Sequence, residues 1–246
     1  MVELYIDSSK IEEVKEFMKW GVFTGATTNQ SILAKDGCKS IEEMKSKIKE
    51  IAELIGPTSI EVFSKDTNGM IREAEEYSML HRNIVIKIPS TEEGLKAVPI
   101  LKNKKIKINF TACMSVNQAI LAALAGADYI SFFYGRIGDC GYDPYEVIKQ
   151  TTEILRNDPK LKNSKIIVGS MRSLLDINRS IMAGADIVTI TPPLLKKMPY
   201  NPQTEKTVDE FLDSWKNFSS KEPEKSGLQD IEKAIELLKG VRNLRL

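Results

Sequence analysis

The chain has 246 residues and a formal net charge of +1, with 35 Lys and Arg against 34 Asp and Glu, a balance that argues against a general affinity for nucleic acid or an anionic membrane. Hydrophobic residues at 42% and charged residues at 28% are the profile of a folded soluble chain, long enough to bury a proper core. One histidine and three cysteines exclude a His-rich zinc or iron site and leave a Ser-His-Asp or Cys-His nucleophile only a single imidazole to work with.

Short runs rich in Ile, Val, Phe and Tyr alternate with helical patterns from end to end. The first predicted strand runs from Glu3 to Asp7, and Ser9 with Glu12 has the S-x-x-E form of a helix cap. A second strand is predicted from Val22 to Thr28. Ser40 with Glu43 then opens a helix whose apolar face is Ile41, Met44, Ile48, Ile51 and Ile55. Strands follow from Ser59 to Phe63 and from Asn83 to Ile88, with a further cap expected at Ser90 and Glu93. The fifth and sixth run from Ile106 to Phe110 and from Asp128 to Phe133. Asp143, Pro144 and Glu146 mark a helix start, and the last two strands run from Lys165 to Val168 and from Asp186 to Ile190. LAALAGADYISFF and RSIMAGADIVTIT read alike as helix, glycine turn and strand.

Eight strands alternating with helices predict a single (β/α)8 TIM barrel over residues 1–218, with an open doubly wound sheet as the alternative. Val208, Phe211, Leu212 and Trp215 share one face of the last barrel helix. The polar stretch SSKEPEKSG and an amphipathic segment with Leu228, Ile231, Ile235 and Leu238 follow. Residues 219–246 are read as a linker and helix that dock on the barrel or a neighbouring subunit, not as a second domain.

Cys38, Cys113 and Cys140 are odd in number and far apart, which predicts reduced thiols in a cytoplasmic setting. The first residues lack the layout of a signal peptide, and no apolar run approaches a membrane span. The loop GRIGDCGYDP matches no nucleotide-binding fingerprint, and the aromatics are not interleaved with a basic stripe. His81, in the turn SMLHRN, reads as a surface residue.

In a parallel barrel, chemistry collects where strands end. Those positions hold Asp7, Asn29, Glu61, Lys87, Thr111, Ser131, Arg136, Ser170 and Arg172, so seven of the eight predicted strand ends carry polar groups. Glu61 and Lys87 each interrupt an apolar strand, where a charge is costly unless paired or neutralised. A structural ion pair between them, or an outward orientation, is the alternative to an active site. A lysine among apolar side chains has its ammonium form disfavoured, and its free amine attacks a ketone or aldehyde to form a Schiff base. Loss of water in that step needs a nearby carboxylate, which Glu61 supplies, with Asp7 as a second base. Ser170 and Arg172 read either as caps of the seventh helix or as an anion site joining backbone N–H groups to a guanidinium.

At these residues the sequence resembles the transaldolase family, in particular its short members, which include fructose-6-phosphate aldolases. The landmarks are YIDSS from Tyr5, GATTNQS from Gly25, VIKIPSTEEGLKA from Val85, NFTACMS around Thr111, ALAGADYISFFYGRIGD from Ala123, VGSMRS around Ser170, and AGADIVTITP. The match extends to about Trp215. The resemblance implies a (β/α)8 barrel and a transaldolase of the pentose phosphate pathway, with Lys87 as Schiff-base lysine and Asp7 as acid/base for carbon–carbon cleavage. It also implies that Glu61 and Thr111 hold a proton-shuttling water and that Thr28, Asn29, Ser131 and Phe133 line the sugar site. Arg136, Ser170 and Arg172 then clamp the phosphate. Sugar-phosphate substrates, no cofactor or metal, and a homo-oligomer are implied as well. Aldolases of the family tend to carry Gln at the Glu61 position and Ala at the Ser131 position, so transfer is favoured over free aldol cleavage. A fructose-6-phosphate aldolase, a specialised sulfosugar transaldolase and a non-catalytic sugar-phosphate binder are the alternatives. One departure stands out: the usual TTNPS reads TTNQS, with Gln30 beside Asn29. It restores a backbone N–H and adds a side-chain amide.

Overall fold

A computed structural model describes residues 1–219 together with Ile231 and Glu236. By its contacts the chain divides into two compact units, Met1–Pro199 and Tyr200–Leu246. In the first, eight parallel strands close into a barrel in chain order. They are β1 Glu3–Asp7, β2 Phe23–Thr27, β3 Thr58–Glu61, β4 Ile84–Pro89, β5 Ile108–Cys113, β6 Tyr129–Phe133, β7 Lys165–Gly169 and β8 Ile187–Ile190. All eight predicted strands are present, and closure removes the open-sheet alternative. The helices of this unit are α1 Ile11–Met18, α2 Gln30–Lys35, α3 Ile41–Ile55, α4 Thr67–Ser78, α5 Glu92–Asn103 and α6 Val116–Ala125. They continue with α7 Tyr134–Asp139, α8 Pro144–Asn157, α9 Leu174–Met182 and α10 Pro192–Leu195.

Each strand divides its residues between two environments, because successive side chains point to opposite faces. Ile6, Ala26, Ile60, Ile86, Ile88, Phe110, Phe132, Val168 and Ile190 are buried in the large apolar cluster that also takes in α3 and α4. Residues of the other parity face the barrel axis. Tyr5, Ile167 and Ile187, with Tyr129 packed on them, form the small apolar cluster at its floor. Burial on both faces is why the strands read as continuous apolar runs.

The two AGAD repeats do the same structural job. Gly126 and Gly184 both have φ of 94°, the left-handed turn that ends a helix at low cost for glycine. The aspartate two residues later pins the amino end of the strand laid down just before it: Asp128 Oδ2 accepts from Ile108 N, and Asp186 Oδ2 from Ile166 N, both at 2.8 Å. Lys102 and Arg156 hold the other carboxylate oxygens at 2.6 and 3.1 Å.

Helix starts follow the sequence signals only in part. Ser40 and Asp143 cap α3 and α8 as predicted. Ser9 does not cap α1; its backbone N–H and hydroxyl both donate to Asp36, at 3.2 and 2.7 Å. The cap of α5 is Thr91 rather than Ser90, because the Ser90 N–H donates to the Thr111 carbonyl. The glycine-containing loop after β6 begins as helix α7. His81 is half-buried in its turn, where its Nδ1 accepts from Asn83 N.

The second unit opens with α11, Pro202–Ser219, on which Trp215 and Phe218 stack with ring centroids 5.8 Å apart. The sequence reading carried the barrel to residue 218, whereas the compact unit holding the barrel closes at Pro199. Of the predicted amphipathic segment, Leu228, Ile235 and Leu238 lie outside the described residues. No helix among the described residues is long and apolar enough to cross a membrane.

Candidate active site

The carboxyl ends of the strands open into a cavity of about 470 Å³. Asp7, Asn29, Glu61, Lys87, Ser131, Phe133, Arg136, Ser170 and Arg172 all line it, so one site gathers nine of the singled-out residues from six strand ends. Lateral pairing sets their heights. Glu61 stands opposite Lys87, Lys87 opposite Asn109, and Asp7 opposite Thr27.

Lys87 is only 3% exposed. Its Nζ donates to the Thr28 carbonyl at 3.0 Å and lies 6.0 Å from the centroid of the Phe133 ring. Neither Glu61 nor Asp7 forms an ion pair with it among the described residues, which removes the structural-pair alternative. Burial raises the pKa of both carboxyls, and the nearby Lys87 charge only partly opposes this. For Asp7 a hydrogen bond from Thr27 also lowers the value, while Asp36 raises it. The arrangement is one amine and two carboxylates around a shared space, with no contact that neutralises them directly.

The opposite wall is cationic. The Phe133 ring is shared by Lys87 and Arg136, whose Cζ is 5.9 Å from the ring centroid. Arg172 forks onto Asp139, with Nη1 at 2.7 Å from Oδ1 and Nη2 at 2.5 Å from Oδ2. Ser170 has φ of 58°, a left-handed conformation uncommon for a residue with a side chain. Its carbonyl accepts from Gly135 N at 3.1 Å. Gly135 must lack a side chain, since a Cβ there would stand 2.6 Å from Arg172 Nε and 2.8 Å from the Ser170 carbonyl oxygen. Ser170 and Arg172 are not helix caps: Ser173 caps α9 in a reciprocal box with Asp176.

Two residues stand apart from the cavity lining. The Thr28 hydroxyl donates to the Ser59 carbonyl at 2.8 Å, so its side chain serves the sheet, and only its carbonyl reaches Lys87. Thr111 is fully buried, and its Oγ1 has no hydrogen-bond partner among the described residues. Ala112, next to it, has φ of 59°, and the β5–β6 register shifts between Phe110 and Cys113. The bulge re-aims this strand end.

Sequence reasoning missed several groups. Thr27, Lys35 and Thr189 also line the cavity. Asn109 lies beneath, accepting from Ser131 Oγ at 2.7 Å and donating to Ser59 Oγ at 3.3 Å. Strand parity was the available signal: Asn109 is two residues before Thr111, and Thr189 is the polar member of IVTI. Gln30 reaches away from Asn29, its Nε2 donating to the Val62 carbonyl at 2.9 Å. It thereby ties the start of α2 to the end of β3. Cys113 is buried, and burial pushes its thiol up to about 12, which suits an inert core group. Among the described residues no group of three or more His, Cys, Asp and Glu is placed to hold a metal ion.

The model of the transaldolase/fructose-6-phosphate aldolase family matches residues 4–241. The chain belongs to that family. The match runs well past Trp215, beyond the last of the sequence landmarks. A probable transaldolase of Caldicellulosiruptor saccharolyticus is 41% identical over 221 residues, 89% of this chain and 100% of that protein. Probable transaldolases of Carboxydothermus hydrogenoformans and Clostridioides difficile are 43% and 42% identical, covering 87% and 89% of this chain and 98% and 100% of theirs. Among solved structures, a thiamine phosphate pyrophosphorylase from Pyrococcus furiosus superposes with a TM-score of 0.57 at 13% identity, over 77% of this chain and 85% of that one. A flavocytochrome b2 variant gives 0.54 at 15% identity, over 78% and 57%. At such identities the likeness is one of barrel architecture alone.

Proposed function

We propose that this family member is a transaldolase, moving a dihydroxyacetone unit from a ketose phosphate of the fructose 6-phosphate type to an aldose acceptor. The observation that carries the reading is Lys87, a buried amine facing two carboxylates with which it makes no ion pair. Lys87 Nζ attacks the C2 carbonyl of the donor. A water held between Glu61 and the unpartnered Thr111 hydroxyl moves the protons that let hydroxide leave as water, and the iminium forms. Asp7 takes the proton of the C4 hydroxyl. The C3–C4 electron pair flows into the iminium, and an aldehyde phosphate departs. The resulting enamine on Lys87 adds to the acceptor aldehyde, and hydrolysis frees the new ketose.

Asn29 and Ser131 meet the dihydroxyacetone hydroxyls in this reading, and Phe133 covers the bond being broken. Arg136, Arg172 and Ser170 hold the phosphate. A raised pKa at Glu61 and Asp7 matches groups that must both take up and return protons near neutral pH. We place the enzyme in the cytoplasm as a homo-oligomer that uses no cofactor. Treatment with fructose 6-phosphate and borohydride is expected to leave a dihydroxyacetone-sized adduct on Lys87. No adduct, or one on another lysine, refutes the mechanism. Steady release of dihydroxyacetone from donor alone would make the enzyme an aldolase instead.

A further inference from the structure

Asp7 stands at the end of a short chain of hydroxyls. Thr27 Oγ1 donates to Asp7 Oδ1 at 2.6 Å, and the same Thr27 oxygen lies 2.5 Å from Thr189 Oγ1. A hydroxyl has a single proton to donate. With that of Thr27 directed at the carboxylate, the proton between the two threonines belongs to Thr189. The chain therefore runs Thr189 to Thr27 to Asp7, each link polarising the next.

The fold builds this chain from the two strands that flank β1. Thr27 is opposite Asp7 on β2, while Thr189 is opposite Tyr5 on β8. Both threonines are buried, at 2% and 6% exposure, and border the cavity only at its wall. The orientation of Thr189 is set on its other side. A Cβ at Gly169 would stand 2.9 Å from Thr189 Cγ2, so the absent side chain of β7 is what makes room for that methyl group. A β-branched side chain with its methyl so lodged has little freedom to turn its hydroxyl elsewhere. Asp7 Oδ2 accepts no hydrogen bond from the described residues.

Resting on the reading above, in which Asp7 is the base for the C4 hydroxyl, we infer that Thr189 is a positioning residue. Through Thr27 it holds Asp7 Oδ1 and leaves Oδ2 to meet the substrate. Its role belongs to bond cleavage and not to iminium formation, which uses Lys87 and Glu61. The charged groups that act on Asp7 are Lys87 on β4 and Asp36 after α2, with Glu61 on β3 lining the same cavity; Thr189 adds an uncharged support from β8.

The test is a pair of substitutions, Thr189→Val, which keeps the shape and removes the hydroxyl, and Thr189→Ser, which keeps the hydroxyl. Each is mixed with fructose 6-phosphate, quenched with borohydride at timed intervals, and the Lys87 adduct is weighed. In Thr189→Val the adduct forms at the rate of the unsubstituted protein, but a larger share carries the intact six-carbon phosphate. Release of the aldehyde phosphate slows about tenfold. With less support for the carboxylate, protonation sets in sooner on acidification, so the acidic limb of the cleavage rate moves to higher pH. Thr189→Ser restores both. Thr27→Val, which breaks the same chain at its middle link, reproduces the change and covers the case in which Thr189→Val fails to fold. An unchanged share of intact adduct with an unmoved acidic limb overturns the inference, as does Thr189→Ser behaving like Thr189→Val. Absence of any Lys87 adduct in the unsubstituted protein overturns instead the reading of the site on which the inference rests.

Discussion

Replacing Lys87 by Met separates a catalytic amine from a structural charge. Met has nearly the same length and volume, so the substitution removes the ammonium and leaves the packing. The lost interaction is one hydrogen bond from Nζ to the Thr28 carbonyl at 3.0 Å, worth about 1.5–3 kcal/mol for a charged donor. Against this stands the desolvation of an ammonium that is only 3% exposed, a cost of several kcal/mol, together with roughly 1 kcal/mol of additional apolar burial. Because Glu61 and Asp7 make no ion pair with Lys87, they offset only part of that cost, and both carboxyls are free to become neutral when the cation goes. The net expectation is a gain of about 1–2 kcal/mol, or about 2–8 °C in melting temperature for a chain of this size. Turnover falls by about 10⁴-fold or more, and no borohydride adduct forms at residue 87. Calorimetry and urea unfolding measure the first; mass spectrometry with the coupled assay measures the second. A loss of about 3–5 kcal/mol, the cost of breaking a buried ion pair, would refute the reasoning and make Lys87 a structural residue.

Stability should also depend on pH through the site. Burial raises the pKa of Asp7 and Glu61, so the folded chain binds their protons more tightly than the unfolded chain does. That contribution is fully present below the ordinary carboxylate range near 4, and it is lost as pH rises through the raised folded values. Asp7→Asn and Glu61→Gln, neutral at every pH, are therefore expected to unfold at higher urea than the unsubstituted protein at pH 7, with the difference closing in acid. A difference that widens in acid would reverse the assignment. At the anion wall, Arg172 is forked onto Asp139, so a phosphate held there must compete with that carboxylate. Asp139→Asn should lower KM for phosphorylated donors a few-fold at most and leave KM for an unphosphorylated ketose unchanged, an effect that added salt diminishes.

Some of this protein was legible without any structure. Parallel strands buried on both faces must be apolar throughout, so every charge inside one marks a place where burial is compensated by function or pairing; Glu61 and Lys87 stood out for that reason. The repeat of AGAD reported a repeated solution to ending a helix and pinning the preceding strand, because the left-handed turn favours glycine and the pinned N–H demands an acceptor. Local signals failed where a distant partner outbid a near one. Ser9 had Glu12 within reach but took Asp36, and Ser90 gave its N–H to the sheet, which moved the cap to Thr91.

Only the closed barrel decided what the polar strand ends do together. Closure brings β8 beside β1, so Thr189 and Thr27, 162 residues apart in the chain, share one hydrogen bond next to Asp7. No local pattern encodes that contact, since threonine in an apolar strand is ordinary β-sheet chemistry. The distance between Lys87 and its carboxylates, close enough to interact and too far to pair, was likewise invisible in the spacing of residues. The chain by itself determined which groups enter the site, through the parity of each strand. The tertiary structure determined which of them touch, because strand register and barrel closure are set by packing across the whole ring of helices.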